Sequence, residues 1–374
     1  MKKKTIWILA AALAVLLSAV AVAGIFFAKN NIIFNYTDLG VPYGDIYTEE
    51  MLNSRLSADM TVFEGRLYVG GGDYDANTGP MYVMSYDLGE TKWERSEETL
   101  PDEQIKRFRV IGDRLVTLGT DPMDDWSLGN YYVLENGKWE TRRVLPSGIH
   151  CFDAIEYDGK VFFALGCNSG DFPIALYDGE GYLPVEFTKD GVSIDTSANE
   201  AVRVYNLFEY QGRLYAFLSL DQKDDQGEIK GYFMELYAYD GKTFDYVSGV
   251  LPSEDMPDII ALDSAVYFVM NRTLLKTSDL LSFFAVSLGK NVRVSDVIED
   301  GDRVYVLGWR EITENLFEVM VFEGAGDSFE KRFGFFTRSV AGSFCKDGDS
   351  FYISLGQRGQ PGSAGDAGRV VAVE

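Results

Sequence analysis

The sequence predicts an all-β fold, a seven-bladed β-propeller of four-stranded blades, behind an N-terminal transmembrane helix. Three observations predict it. A tight glycine turn followed by an apolar strand returns seven times along the chain. The copies are spaced by roughly 40 to 50 residues, the period of propeller blades. The stretches between copies read as further short strands.

The motif is clearest at Phe63–Gly70, FEGRLYVG. It returns as IGDRLVTLG (Ile111–Gly119), YDGKVFFALG (Tyr157–Gly166) and YQGRLYAFLS (Tyr210–Ser219). LDSAVYFVM (Leu262–Met270) is a degenerate copy, followed by DGDRVYVLG (Asp300–Gly308) and KDGDSFYISLG (Lys346–Gly356). Glycine beside Asp or another polar residue supplies the positive φ of a tight hairpin. The β-branched and aromatic residues after it suit a pleated, buried surface. In each unit strand a precedes the turn, as in RFRVI at Arg107–Ile111, and strand b is the motif itself. Strand c is an aromatic run such as MYVMSY at Met81–Tyr86, and strand d is an amphipathic segment such as Lys92–Glu94, Lys138–Glu140 or Phe244–Tyr246. One such sheet cannot cover both of its faces, whereas neighbours set side by side can.

The N-terminus has its own logic. Lys2, Lys3 and Lys4 end a stub of residues 1–4, and an uncharged run follows from Thr5 to Ala28. That run is long enough to cross a bilayer, and the lysines should stay on the cytoplasmic side. Residues 5–28 are therefore expected to anchor the chain in the cell membrane as a single pass, with the C-terminal domain extracytoplasmic. The alternative is a cleaved signal peptide with Ala21-Val22-Ala23 as its site. Residues 29–31 would be a tether and 32–374 the propeller. The seventh unit runs out after Arg369–Val373, one strand short, and IIFNYTDL (Ile32–Leu39) is strand-like without a repeat of its own. It is expected to supply the missing strand and remove an exposed sheet edge.

The 374 residues, 46% hydrophobic and 14% aromatic, suffice for one large core. A formal charge of −24 argues against nucleic acid as a partner and favours basic or cation-bridged ligands. The three cysteines, Cys151, Cys167 and Cys345, make no disulfide framework. Cys151 and Cys167 lie on one hairpin and could be bridged, with buried thiols as the default. The chain is expected to act as a monomer.

The first unit carries a family likeness. It reads LYVGGG at Leu67–Gly72, MYVMSYD at Met81–Asp87, then Trp93 and Leu100-Pro101. The second keeps Trp139 and Leu145-Pro146, and the fourth keeps Tyr239-Asp240-Gly241 and Leu251-Pro252. This pattern resembles a kelch repeat. LLKTSDLLSFF at Leu274–Phe284 looks a little like the Asp-box turn of sialidase-type propellers, without its Gly and Trp. The kelch resemblance implies a non-catalytic propeller that binds proteins or sugars.

Strands alternate direction, so the b–c loops share one face. Four of them are long and rich in acid and glycine: Gly70–Pro80, Thr120–Asn130, Leu220–Gly231 and Gly356–Gly368. Ligand binding is expected there. Trp126, Trp309 and Arg310 fall in candidate loops, where an aromatic could stack on a sugar or anchor a peptide. Asp73, Asp75 and Asn77 form D-x-D-x-N, alternate oxygen ligands that could suit Ca²⁺, although the glycine and glutamate of an EF-hand are missing. Trp93 and Trp139 recur at matched positions and are read as core, and His150 as structural. With one histidine, copper ligation, His–Cys zinc sites and a triad find no partners. No phosphate-binding glycine loop leads into a helix. The reading is a membrane-anchored binding or scaffold module for a protein, peptide or glycan. The alternative is a carbohydrate-active enzyme, glycosidase or lyase, using carboxylates in the central funnel.

Overall fold

The alternation of apolar and polar residues around each glycine turn builds antiparallel meanders. The computed structural model describes residues 31–374 apart from 34, 49, 169, 200, 224, 225, 228, 250–257 and 363. The transmembrane expectation for residues 5–28, the stub at 1–4 and most of the tether therefore lie outside the described residues. Among the described residues no helix is long and apolar enough to cross a membrane.

Among the described residues the chain is almost entirely β, with four separate four-stranded sheets and one larger sheet that joins three further four-stranded meanders, seven units in sequence order. The first runs Met60–Phe63, Arg66–Val69, Met84–Asp87 and Lys92–Arg95. The sixth is the most regular, from Arg293–Asp300 through Arg303–Thr313 and Leu316–Ala325 to Ser328–Thr337. The first strand of each unit touches the first strands of the units before and after it, and the first unit touches the seventh. These innermost strands thus form a ring around a central channel, the arrangement of a β-propeller. Between units lie aromatic clusters such as Phe208, Phe217 and Phe268.

The expected strand a–turn–strand b geometry follows the glycines. Glu64 and Gly65 both take positive φ, 48° and 74°, as a two-residue hairpin turn requires. The glycines after strand b have another role. A Cβ on Gly70 would lie 2.6 Å from the carbonyl oxygen of Ile105, on the next unit's innermost strand. A Cβ on Gly71 would meet the ring of Tyr43 at 2.6 Å. The glycine run therefore lets a neighbouring unit and the 41–58 segment close against the first unit.

The seventh array is completed from the other end of the chain. Thr37–Gly40 pairs antiparallel with Val370–Val373, with Thr37 opposite Ala372 and Asp38 opposite Val371. The strand begins at Thr37 rather than Ile32. Ile32 instead bridges in parallel to Gly334, on the outermost strand of the sixth unit. Asn31 and Ile33 add hydrogen bonds of 2.8 Å to that strand. Farther on, the indole N–H of Trp93 donates to the carbonyl of Leu39. The segment 31–40 therefore laces the outer strands of units six, seven and one. After it, Tyr43 and Tyr47 are buried and a short helix, Leu52–Arg55, caps the loop face.

Two expected loops are strands. Leu220–Gly231 continues the ladder of the fourth unit, with Leu220 opposite Phe233 and Asp221 opposite Tyr232. Asp224 and Asp225 lie outside the described residues. In the sixth unit Trp309 pairs with Val319 and Arg310 with Glu318, and the hairpin turns only at Asn315, whose φ is 60°. An extra hairpin, Phe187–Lys189 and Val192–Ser193, joins the outer edge of the fourth unit in parallel with Phe244–Gly249. All three cysteines are buried and free.

Candidate functional site

The innermost strands share a feature that the strand pattern alone conceals. Each ends in a hairpin-closing pair: Phe63 with Arg66, Ile111 with Arg114, Tyr157 with Lys160, and so on around the ring. Four residues before that pair every unit carries a polar side chain: Asp59, Arg107, Asp153, Asn206, Asp258, Asp296 and Ser343. They form a polar collar around the channel. The cavity there has a volume of about 720 Å³, and Asp59, Arg107, Asp258, Asp296 and Ser343 line it.

The collar is first of all architecture. Asp59 accepts the N–H of Met60 at 2.8 Å and that of Phe108, in the second unit, at 2.7 Å. Asp153 accepts from Ala154 at 2.9 Å and from Leu207, in the fourth unit, at 3.0 Å. Asp296 accepts from Val297 at 2.7 Å and from Phe344, in the seventh unit, at 3.0 Å. Each carboxylate thus joins its own strand to the next unit's. Arg107 reaches Asp153 at 3.2 Å and Asp258 at 3.1 Å, and Arg109 reaches Asp153 at 2.8 Å.

These contacts divide the carboxylates by charge state. Burial works against the Asp153 anion, but Arg109 and Arg107 outweigh it and hold its carboxyl below the ordinary range. Burial raises Asp59 to about 6. Burial also raises Asp258 and Asp296, and Asp258 and Asp59 push Asp296 further up. Off the channel, burial lifts Asp102 to about 6 despite hydrogen bonds from Tyr132 and from Asn130.

The loop-bearing mouth of the channel is different. The residue one place before the collar is bulged out of register in the second and third units, as Lys106 and Phe152, and Tyr205 lies in the same break in the fourth. The Lys106 ammonium sits 4.5 Å from the ring centroid of Tyr74 and 5.5 Å from that of Phe152. The rings of Phe152 and Tyr205 are 4.9 Å apart. Arg358, from the seventh unit's b–c loop, covers Tyr74 at 5.2 Å. Arg203 donates to the Tyr205 hydroxyl at 3.3 Å. Burial, then the charge of Arg203, pushes Lys106 down to about 8. His150 stacks on Phe152 at 5.2 Å, with Nδ1 3.0 Å from Asp121.

The sequence-derived site residues lie apart from one another. Trp309 is 2% exposed inside its strand, against Phe317 at 5.8 Å, with the Arg293 guanidinium 5.2 Å over its ring. It is core rather than a loop tip, because the alternation of strand b runs on to Thr313. Arg310 is 2.7 Å from Glu318, a buried carboxylate that also holds Lys331 at 2.6 Å. Trp126 does lie in the second b–c loop, half-buried, with Arg143 5.7 Å over its ring. Asp73 caps a one-turn helix at Tyr74–Ala76 and lies 3.4 Å from Arg358, which also binds Asp75. With its amide nitrogen turned to Glu103, Asn77 donates at 2.6 Å. Arg358 thus lies against both Asp73 and Asp75. Among the described residues no group of three or more His, Cys, Asp or Glu side chains is placed to hold a metal ion. The residues missed by sequence reasoning are Tyr74, Lys106, Arg203, Tyr205 and Arg358.

Neither a family model nor a curated protein matches the chain. Among solved structures, an ulvan lyase of a new polysaccharide lyase family, bound to a saccharide of GlcA and Rha3S, aligns with a TM-score of 0.51 and 12% identity over 90% of this chain and 94% of that one. A puromycin-hydrolysing peptidase of Mycobacterium tuberculosis aligns at 0.55 and 12% identity over 92% of this chain, but this chain spans only 54% of the peptidase. At such identity the likeness speaks to the fold alone.

Proposed function

We propose that the chain is a seven-bladed, kelch-like propeller, held outside the membrane by residues 5–28, that binds a glycan at the loop-bearing mouth of its channel without chemistry of its own. One observation carries the binding reading. Three of the four collar aspartates have both carboxylate oxygens engaged by backbone N–H groups of two units, so they build the ring. Tyr74 and Arg358 are exposed at the mouth, and Lys106 and Arg358 line the cavity. A flat ring edged by polar groups suits a sugar. The basic partners expected from net charge fit this mouth poorly, because its nearest charges to Lys106 are mostly guanidinium groups. The test is a glycan array probed with the full chain, alongside capture of cell-envelope proteins. Retention of a glycan that is lost in Tyr74→Ala supports the reading; protein capture alone, or no ligand, refutes it.

A second reading is an eliminating carbohydrate-active enzyme. It is favoured by Lys106, whose depressed basicity suits proton abstraction near neutral pH, and by the fold shared with the ulvan lyase. In such a step the neutral amine takes the C5 proton beside a uronate carboxylate, the C–H electron pair forms the C4–C5 double bond as the C4–O bond breaks, and the ammonium returns its proton to the departing oxygen. The appearance of ultraviolet absorbance from the new double bond would select this reading.

A further inference from the structure

We propose that the outer edge of the fifth unit dips into the surface of a lipid bilayer through Leu281 and Phe284. This rests on the membrane anchorage proposed above and adds the side of the ring that meets the lipid. The stretch Leu280–Gly289 carries no charged residue. Within it Leu281 is 63% exposed, and Phe284, on the outermost strand Phe284–Ala285, is 67% exposed. The first and second units place Lys92, Glu94 and Arg95, or Lys138, Glu140 and Arg142, on their outermost strands, the usual protection of a sheet edge. The sixth unit covers its outermost strand with residues 31–33. The fifth does neither. Its turn departs in the same way. Asp87, Asp178, Asp240 and Asp279 each accept the N–H groups two and three residues farther on. The residue two after the aspartate is Gly89, Glu180 or Lys242 in three of these turns, and Leu281 in the fourth.

The occupant follows from where the described chain begins. The Asn31 side-chain amide donates to the Lys331 carbonyl at 2.8 Å, and Ile32 bridges in parallel to Gly334. The chain therefore starts toward the turn end of Ser328–Thr337 and heads for the mouth. Only Lys29 and Asn30 separate Asn31 from Ala28, the last residue of the expected anchor. Three residues span at most about 10 Å, so an anchor ending at Ala28 holds the sixth unit's outermost strand beside the bilayer. The fifth unit is fastened to the turn that opens this strand. Phe284 pairs with Lys276, whose ammonium lies 2.7 Å from Asp327, and the Tyr267 hydroxyl donates to the Gly326 carbonyl at 3.0 Å. Paired residues project on one face of a sheet, so Phe284 shares with Lys276 the face turned toward the sixth unit. The N–H groups of Leu281 and Ser282 are already held by Asp279, at 2.9 Å and 2.8 Å, so the tip can leave water without baring those donors. The N–H groups of Ser282 and Leu281 also pull the Asp279 carboxyl below the ordinary range. An ionised, exposed Asp279 keeps the insertion at the depth of the headgroups. With a formal charge of −24 on the chain, the contact depends on apolar side chains rather than on anionic lipid.

The test uses the full chain in phosphatidylcholine vesicles, with a nitroxide label on Leu281→Cys, on Phe284→Cys or, in a loop at the mouth, on Asp125→Cys. All three positions are exposed and the native thiols are buried, so each label goes to one site on a folded ring. Spin relaxation by oxygen, which concentrates in lipid, is compared with relaxation by a water-soluble nickel chelate. Labels at 281 and 284 should respond more to oxygen than to nickel, and the label at 125 more to nickel than to oxygen. Vesicle-bound chain whose 281 and 284 labels meet nickel as freely as the label at 125 overturns the contact and leaves the anchor intact. Labels at 281 and 284 shielded from both reagents, with dipolar broadening between copies, put a second copy of the chain on this edge and also overturn it. Chain that does not float with the vesicles overturns contact and anchor together.

Discussion

Asp153, on the innermost strand of the third unit, accepts the backbone N–H of Leu207 on that of the fourth at 3.0 Å while lying beside Arg107 and Arg109. One side chain thereby bonds two units and neutralises charges from a third. Asp153→Ala should take this acceptor from Arg109 and from the N–H groups of Ala154 and Leu207, and leave Arg107 with Asp258 alone. The expected loss is about 3–5 kcal/mol of stability, read as a lower urea midpoint. Asp153→Asn should cost less. A midpoint unchanged in the alanine variant would refute the clamp.

Asp102 gives a pH dependence of known sign. Its folded value of about 6 lies above the ordinary 3.8, so the native state holds its proton more tightly than the unfolded chain. The stability linked to that proton is complete below the ordinary value and is lost as pH rises through about 6. The loss is on the order of 1–3 kcal/mol. Asp102→Asn should flatten the slope between about pH 4 and pH 7, the variant being at least as stable as the parent at neutral pH. Urea titrations at several pH values check this, and an equally steep slope in the variant would contradict it.

The tryptophans should separate by role. Trp309→Ala opens a cavity in the sixth unit and should cost about 3–5 kcal/mol, with ligand affinity intact in whatever fraction stays folded. Trp126→Ala, on the half-buried loop, should cost about 1 kcal/mol or less. Thermal melts and the glycan array together read both.

The first b–c loop predicts a weak response to calcium. Asp73 and Asp75 already hold Arg358, so calcium has to displace a guanidinium to enter. The expected melting temperature is the same with calcium, magnesium or neither. A calcium-specific rise that vanishes in Asp73→Asn would show that the ion wins that competition.

Removing residues 31–40 should bare the edge of Val370–Val373 and unlace units six, seven and one. A lower melting temperature and concentration-dependent association in light scattering are expected. A shortened chain that stays monomeric at the parent's melting temperature would refute the lacing.

The regular part of this architecture was readable because it is local. Glu64–Gly65 needs only its own positive φ values, and Asp87 needs only the N–H groups of Gly89 and Glu90, which it accepts at 2.9 Å and 2.8 Å. Asp178, Asp240 and Asp279 repeat that turn in units three to five. The mouth was not readable, because Tyr74, Lys106, Arg203 and Arg358 meet only when bulges and loops from different units converge. Trp309 was misplaced for the opposite reason: a paired strand continues where the repeat length suggested a loop.

The pairing of Thr37–Gly40 with Val370–Val373 also sets an order of events. A chain made from its N-terminus shows the first half of that pair long before the second exists. The early strand must wait, unpartnered, through the synthesis of everything between. A product cut short before Val370 can stack its finished sheets but cannot latch them, and quality-control proteases would meet it as an open arc.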